Sequence, residues 1–487
     1  MGKEICNLEP KPLWENFYNI CQIPHPSKHE DKIREYLVAF GKNLGLETIV
    51  DEVGNVIIRK PATAGMENRK GVVLQGHMDM VPQKNNDKKH DFNTDPIETI
   101  IGDDGWIKAN GTTLGADNGI GCAAAMAVLQ SKDIAHGLIE MLVTTDEETG
   151  MTGAFGLKSG VLKGDILMNL DSEDEGELYV GCAGGIDGTF TFNYKEETIP
   201  ANMEAYKVSV TGLKGGHSGM DIVLGLGNAN KIITRFISKA TKEFNIRLAS
   251  ITGGSLRNAI PRESSAVILA PAGKSEAIKQ FLFGFFDIAS AELAISEPDF
   301  KMTIEPTEIP KFVIDTDNAN RAIKAIYACP NGVMRMSDAM PGLVETSNNL
   351  AIVSSDNKKI VINCLMRSSV NSAKDDLADM MASVFELAGA ECKFEGGYPG
   401  WNPNPNSAIL EVAKNVYNKK YSKIPEIKAI HAGLECGLLG NVYPNWDMIS
   451  FGPTIRNPHS PRERVNIESV GKFWDYLVEI LKNVPVK

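Results

Sequence analysis

Five short segments between residues 77 and 459 carry side chains of the kind that bind metal ions. They are GHMDMV (His77, Asp79), LGADNG (Asp117), TTDEETG (Glu147, Glu148), NLDSED (Asp171) and RNPHSP (His459). Together they supply two histidines and several carboxylates, a donor set that suits a pair of borderline-hard divalent cations. A carboxylate such as Asp117 can bridge two ions about 3.5–4 Å apart with its two oxygens. Glu147 and Glu148 are adjacent acids just past a buried apolar run, so a cation or a raised pKa is needed to offset their repulsion. Their side chains diverge, so one can ligate while the other works on water as a general base. His77 and Asp79 stand two apart, which on a strand turns both to one side, and a carboxylate there can hold the second ring nitrogen of a metal-bound imidazole. Four of the five segments follow or interrupt an apolar run, where a strand ends and a site can open. The set points to a two-metal hydrolase.

Each segment alone has a plainer reading. His77 and Asp79 could be a simple strand-end hydrogen bond. Asp117 sits in a glycine turn where an N-cap or turn acid is ordinary. Glu147 and Glu148 suit a helix start. Asp174, Glu175 and Glu177 read as a solvated acidic loop, whereas Asp171 directly follows the apolar DILMNL. A lone loop histidine such as His459, between Pro458 and Pro461, is usually surface. His217, in GLKGGHSGMDI, is a loop histidine that could also donate a hydrogen bond to a developing oxyanion.

The elements that must position these residues follow from periodicity. Helical spacing covers residues 10–45, broken by the two prolines of CQIPHPSKHE. TIVDEVGNVIIRK reads as a hairpin around Gly54. GVVLQGHMDM, LIEMLVTTDEE and DILMNLD read as buried strands, and GIGCAAAMAVLQ as a small-residue helix. Strand–helix alternation of this kind predicts an α/β sheet with helices on both faces. Ligands gather at the carboxyl ends of such strands, where His77, Asp79, Glu147, Glu148 and Asp171 all lie.

From about residue 187 the texture changes to alternating apolar and polar residues. Up to about 398 two similar βαββαβ-like halves follow, the second lacking an evident first strand. They predict an inserted α+β domain of two ferredoxin-like halves over 187–398. Residues 1–186 and 399–487 then form one discontinuous domain, brought together by folding because the metal-type residues lie on both sides of the insert.

The chain has 487 residues, 43% of them hydrophobic and 23% charged, enough for a large core in two or three domains. A net charge of −12 argues against nucleic acid as a partner. Eight cysteines without a CxxC pair suit free thiols in a reducing compartment. No apolar signal core and no window of 18 apolar residues are present, so the expectation is a soluble cytoplasmic protein with no membrane partner.

GHMDMVPQK, GTTLGADNGIG, TTDEETGMTGA, LDSEDEGELYVGCAGG, GLKGGHSGMDI and HAGLECG jointly resemble the M20 zinc metallopeptidases, and within them the Xaa-His dipeptidase subgroup. The resemblance runs from CQIPHPSKHE to RNPHSP and so covers nearly the whole chain. It implies a mixed-sheet catalytic domain and a lid formed by the insert. It also implies two zinc ions, replaceable by manganese or cobalt: His77 and Asp171 on one, Glu148 and His459 on the other, and Asp117 bridging. Asp79 would orient His77, and Glu147 would be the general base. In the lid, His217 and Asn258 would stabilise the oxyanion and Arg367 would take the substrate carboxylate. The doubled lid departs from single-lid members of the family. The implied substrates are dipeptides with free termini, Xaa-His among them, and the chain is either a monomer or a homodimer. An amino-acid deacylase or carboxypeptidase would use the same metal centre. A metal-dependent binding protein is a third reading, disfavoured because a binder has no need of a base beside Glu148.

Overall fold

Val72–His77, Ile139–Thr144 and Ile166–Asn169 are buried along their whole length. Their near-continuous apolar runs are those of central parallel strands covered on both faces. In the computed structural model, which describes residues 2–487, they lie parallel at the centre of an eight-stranded sheet. Asp447–Ser450 adds a further parallel strand beside Ile166–Asn169. Glu47–Val50 and Val56–Lys60 form an antiparallel hairpin that joins the other side against Ile139–Thr144. Glu177–Cys182 and Glu426–Ile430 complete the sheet, which is therefore mixed.

Helices cover both faces. Ala116–Gln130 packs so closely on one face that a Cβ at Gly76 would meet the Asn118 and Cys122 side chains at 2.1 and 3.2 Å. Gln75, which alternation turns to the opposite face, meets Glu435 at the start of the helix Glu435–Val442. A smaller four-stranded sheet joins Thr99–Ile101, Trp106–Ala109, Arg464–Asn466 and Ile455–Arg456. The last two of these flank the loop that bears His459.

The chain divides into two compact units. One holds the residues up to Gly181 with Pro403–Ala429 and Leu434–Lys487; the other holds Cys182–Asn402 with Ile430–Gly433. The division lies at 181/182 and 402/403 where sequence texture changes at 186/187 and 398/399. The second unit is built on one nine-stranded sheet. Four of its strands run Lys301–Pro306, Met203–Thr211, Ser264–Pro271, Arg247–Gly253, and the helices Ala229–Phe244 and Ser275–Glu292 connect them in a βαββαβ order. Four more run Val344–Asp356, Lys359–Ser368, Gly184–Asn193, Glu391–Tyr398, with the helices Thr316–Ala328 and Asn371–Leu387. The opening strand of this second set is Gly184–Asn193, so the first set is inserted between that strand and the helix that follows it. The sets join where Thr252 and Gly253 pair with Ser354 and Val353. One core runs beneath both, with Phe190 stacked on Phe385 at 3.9 Å between ring centres.

Candidate metal centre

His77 ends its strand, and its ring is held from one side. Nδ1 lies 2.9 Å from the carbonyl oxygen of Asp79 and 3.5 Å from the Asp79 carboxylate. With Nδ1–H committed there, Nε2 is the free nitrogen. It lies 3.1 Å from Asp117 Oδ1 and 3.5 Å from Asp171 Oδ1. Asp171 follows the strand Ile166–Asn169, and Asn118 Nδ2 donates to its carboxylate and, at 2.8 Å, to the Leu170 carbonyl. The peptide bond between Asp117 and Asn118 is cis.

The other oxygen of Asp117, Oδ2, lies 3.2 Å from His459 Nε2. His459 Nε2 is also 3.0 Å from Glu148 Oε2. Each oxygen of Asp117 thus faces a different imidazole. His459 sits in the loop between the paired strands Ile455–Arg456 and Arg464–Asn466, with a left-handed backbone at φ 57°. Histidine reaches that region more readily than most residues, though at some conformational cost. Glu147 and Glu148 open a short helix just past the strand Ile139–Thr144, as acids at a helix start should. Their N–H groups donate to the two oxygens of Asp79 at 2.9 and 3.2 Å.

Ligand-type atoms converge within 4.8 Å of one another in three overlapping groups: His77, Asp117 and Asp171; Asp117, Glu148 and His459; and His77, Glu147 and Glu148. A fourth group, Glu30, Asp79 and Asp146, shares none of the first three groups' residues. The electrostatics show how crowded this is. Burial works against a charged His77, yet Asp171, Asp117 and Asp79 outweigh it and hold its pKa well above the ordinary value. Hydrogen bonds to Asp117 and Glu148 push His459 up to about 11. Burial pushes Asp171 up to about 6, with His77 opposing and Asp117 and Glu148 reinforcing. Burial also pushes Glu147 well up, against His77 and with Asp171, Glu435 and Glu148 adding to the rise. The carboxylates thus favour positive charge at both imidazoles, in the form of protons on the rings. A divalent cation would displace those protons and take over their role. Glu148 Oε1 is buried without a hydrogen-bond partner, an acceptor that a cation would satisfy. The donor set, the spacing and this orphaned oxygen fit a pair of divalent ions.

Glu463 has no place in the sequence reading. Its Oε2 accepts the N–H groups of Leu114 and Gly115 at 2.7 and 3.0 Å, and its Oε1 those of Ala116 and Asp117 at 2.8 and 3.3 Å. It lies four residues past His459, so one hairpin carries both His459 and the anchor of the Asp117 turn. The signal available was an acid close behind a candidate ligand, in PRERVN, which reads as a solvated charge run.

His217, Asn258 and Arg367 lie in the second unit. Gly219 and Met220 N–H donate to His217 Nδ1 at 3.2 and 3.1 Å, which leaves the ring proton on Nε2 as a donor. Burial and the Arg367 charge lower its pKa, in keeping with an Nδ1 that accepts. Arg367 is buried, with NH1 donating to the Tyr398 hydroxyl at 3.0 Å. The Asn258 side chain is exposed, while the backbone carbonyl of Asn258 accepts the Ser218 N–H at 2.8 Å.

A mixed α/β sheet with this cluster at the carboxyl ends of its strands has the form of a metal-dependent hydrolase. The profile of peptidase family M20/M25/M40 matches residues 73–483, and the chain belongs to that family. It is 49% identical over 484 residues to the cytosol non-specific dipeptidase of Escherichia coli (strain K12), covering 99% of this chain and 100% of that one. The crystal structure of aminoacylhistidine dipeptidase from Vibrio alginolyticus is 50% identical and superposes with a TM-score of 0.97 over 100% of both chains. A tripeptidase from Staphylococcus aureus, 19% identical, shares the fold with a TM-score of 0.56 over 98% of this chain and 99% of its own. Among the described residues no helix is long and apolar enough to cross a membrane.

Proposed function

We propose that this peptidase hydrolyses dipeptides with free termini, Xaa-His among them, at a two-zinc centre. The observation that carries the metal centre is Asp117, each of whose oxygens faces a different imidazole. The dipeptide class is supported by full-length similarity to the two dipeptidases. In this reading His77 and Asp171 hold one zinc, Glu148 and His459 the other, and Asp117 bridges them. Manganese or cobalt is able to substitute. Bound zinc would lower the pKa of water and polarise the peptide carbonyl.

The remaining work falls to the chain itself. Asp79 fixes the His77 ring and, through its carboxylate, the turn that carries Glu147. Glu147 takes a proton from the attacking water and returns it to the leaving amine, the two-way role of a general acid–base. Burial raises its pKa, which strengthens it as a base toward water. His217 Nε2–H and Asn258 serve the oxyanion. Arg367, whose fork the Tyr398 hydroxyl steadies, takes the substrate carboxylate. The unit that carries these three residues acts as the lid. The enzyme works in the cytoplasm, as a monomer or a homodimer.

A dipeptide panel read by mass spectrometry, run on metal-free protein reloaded with zinc, manganese or cobalt, tests the proposal. Cleavage of free dipeptides that a chelator abolishes and metal restores is the expected result. Equal rates on N-blocked dipeptides would favour a deacylase or carboxypeptidase instead. A zinc-loaded protein that cleaves no dipeptide would leave the binding-protein reading.

A further inference from the structure

Beneath the row of metal-type residues runs a second polar row that the proposed chemistry does not use. The Ser172 hydroxyl lies 2.7 Å from Ser450 Oγ, and the Ser450 hydroxyl donates to Asn169 Oδ1 at 2.5 Å. Asn169 Nδ2 donates to Gln75 Oε1 at 2.6 Å, and Gln75 Nε2 donates to Glu435 Oε2 at 2.6 Å. Thr144 adds a second donor to the same oxygen at 2.7 Å. Because the Ser450 proton is spent on Asn169, Ser172 must donate to Ser450. Every donor in the chain therefore points toward Glu435. Glu435 Oε2 accepts from both Gln75 and Thr144, which fixes the amide of Gln75 with nitrogen toward it, and Gln75 in turn fixes Asn169. Gln75, Thr144, Asn169, Ser450 and Glu435 are each at most 2% exposed.

The row is laid across the strands that carry the site. Gln75 pairs with Asn169, Asn169 with Ser450, and Thr144 with His77. His77 stands two residues beyond Gln75, Glu147 three beyond Thr144, and Asp171 lies between Asn169 and Ser172. Glu435 comes from a helix of its own and is the end on which the chain converges.

We infer that Glu435 is a positioning residue, the acceptor that terminates this chain and so sets the spacing of the strand ends bearing His77, Glu147 and Asp171. It acts through Gln75 and Thr144, not on substrate. The activity readout rests on the two-zinc dipeptidase reading, whereas the metal-affinity readout does not.

The test compares Glu435→Gln, Glu435→Ala and Thr144→Val for zinc affinity by chelator competition, for thermal melting, and for kcat and KM on a cleaved dipeptide. Glu435→Gln keeps an oxygen toward Gln75 and Thr144 and places its amide nitrogen where Oε1 has no partner. It should stay within about threefold of the parent, while Glu435→Ala should lose about 10–100-fold in zinc affinity and in kcat with KM changed little, the range for residues that support metal ligands. Asn169→Ala cuts the same chain, so combined with Glu435→Ala it should cost less than the two losses added. A folded Glu435→Ala protein with parental zinc affinity and kcat overturns the inference. So does a Glu435→Gln protein as impaired as Glu435→Ala, which would make charge and not the acceptor the agent. If Glu435→Ala does not fold, Thr144→Val decides: a loss of about 3–10-fold supports the role, and parental values overturn it. If the parent cleaves no dipeptide, the functional reading falls, and the zinc affinities alone decide the role of Glu435.

Discussion

The Asp79 carboxylate accepts the backbone N–H of Glu147 at 2.9 Å, while the carbonyl of the same Asp79 lies 2.9 Å from His77 Nδ1. One residue thus ties a strand-end histidine to the turn that opens with two glutamates. Burial works against the Asp79 charge, but His77 and the Glu147 N–H outweigh it and push its pKa down to about 2. It therefore stays an acceptor through the neutral range.

Asp79→Asn tests this tie. The change keeps the side-chain volume but turns one oxygen into a donor, which then faces the N–H of Glu147 or of Glu148. The His77 contact to the carbonyl remains. Zinc affinity and kcat should each fall roughly 10–100-fold. Metal titration and steady-state kinetics measure both, and a variant with parental kcat would show that the Glu147 turn holds itself.

Glu147 and Glu148 are neighbours with different surroundings. Glu148 meets His459 at 3.0 Å, whereas burial and neighbouring acids push Glu147 toward its protonated form. Glu147→Gln should keep two zinc ions per chain and lose about 10²–10⁴ in kcat, the range for a general base. Glu148→Ala should lose one zinc. Elemental analysis of the dialysed proteins separates the two, and zinc lost by Glu147→Gln but kept by Glu148→Ala would reverse the assignment.

His431 gives the second unit a pH-dependent stability. Burial, with the Arg367 charge adding and a backbone hydrogen bond at Val344 opposing, pushes its pKa down to about 3. Its Nε2 lies 2.7 Å from Ser347 Oγ. The folded chain holds this ring neutral, while the unfolded chain protonates it below about pH 6.5. Stability from His431 is thus fully present above that pH and is lost as pH falls toward 3. The slope is about 1.4 kcal/mol per pH unit within the window. His431→Gln removes the titration, so its melting temperature should fall less than the parent's between pH 7 and pH 4.5. Parallel curves would mean that His431 is charged in the folded protein.

The metal-type side chains were legible because four of their five segments follow or interrupt an apolar run, and the loop histidine His459 drew its weight from the other four. The supports of those side chains were not. Ile455–Arg456 and Arg464–Asn466 are two and three residues long, too short for any periodicity to declare a strand. Gln75 and Asn169 sit inside apolar runs and read as isolated polar exceptions; only the sheet register lines them up. The first strand of the second βαββαβ set stands before the whole of the first set, so a reading along the chain assigned it to neither. Asp79 looked like a carboxylate partner for His77, and its shorter contact turned out to be the carbonyl, which no side-chain pattern reveals.

Glu463 offers a measure of how far such a support matters. Its two oxygens take four backbone N–H groups, from Leu114 to Asp117, in a fully buried setting. Burial pushes its pKa up to about 7, with Asp117 adding to the rise and the N–H groups opposing it. Removing the carboxylate strands four buried donors, each costing about 1–3 kcal/mol when unpaired, though the turn can relax to reach water. Glu463→Ala should therefore destabilise the fold by about 3–5 kcal/mol, less than the four costs added because of that relaxation. Glu463→Gln keeps one acceptor oxygen and should fall between the two. Zinc affinity should drop in the same order, because the turn that presents Asp117 and the hairpin that presents His459 are held together by this one side chain. Urea unfolding and chelator competition measure the two effects. A Glu463→Ala protein that loses stability but binds zinc like the parent would show that Asp117 is positioned by its other neighbours, with Asn118 and its bond to the Leu170 carbonyl the first to examine.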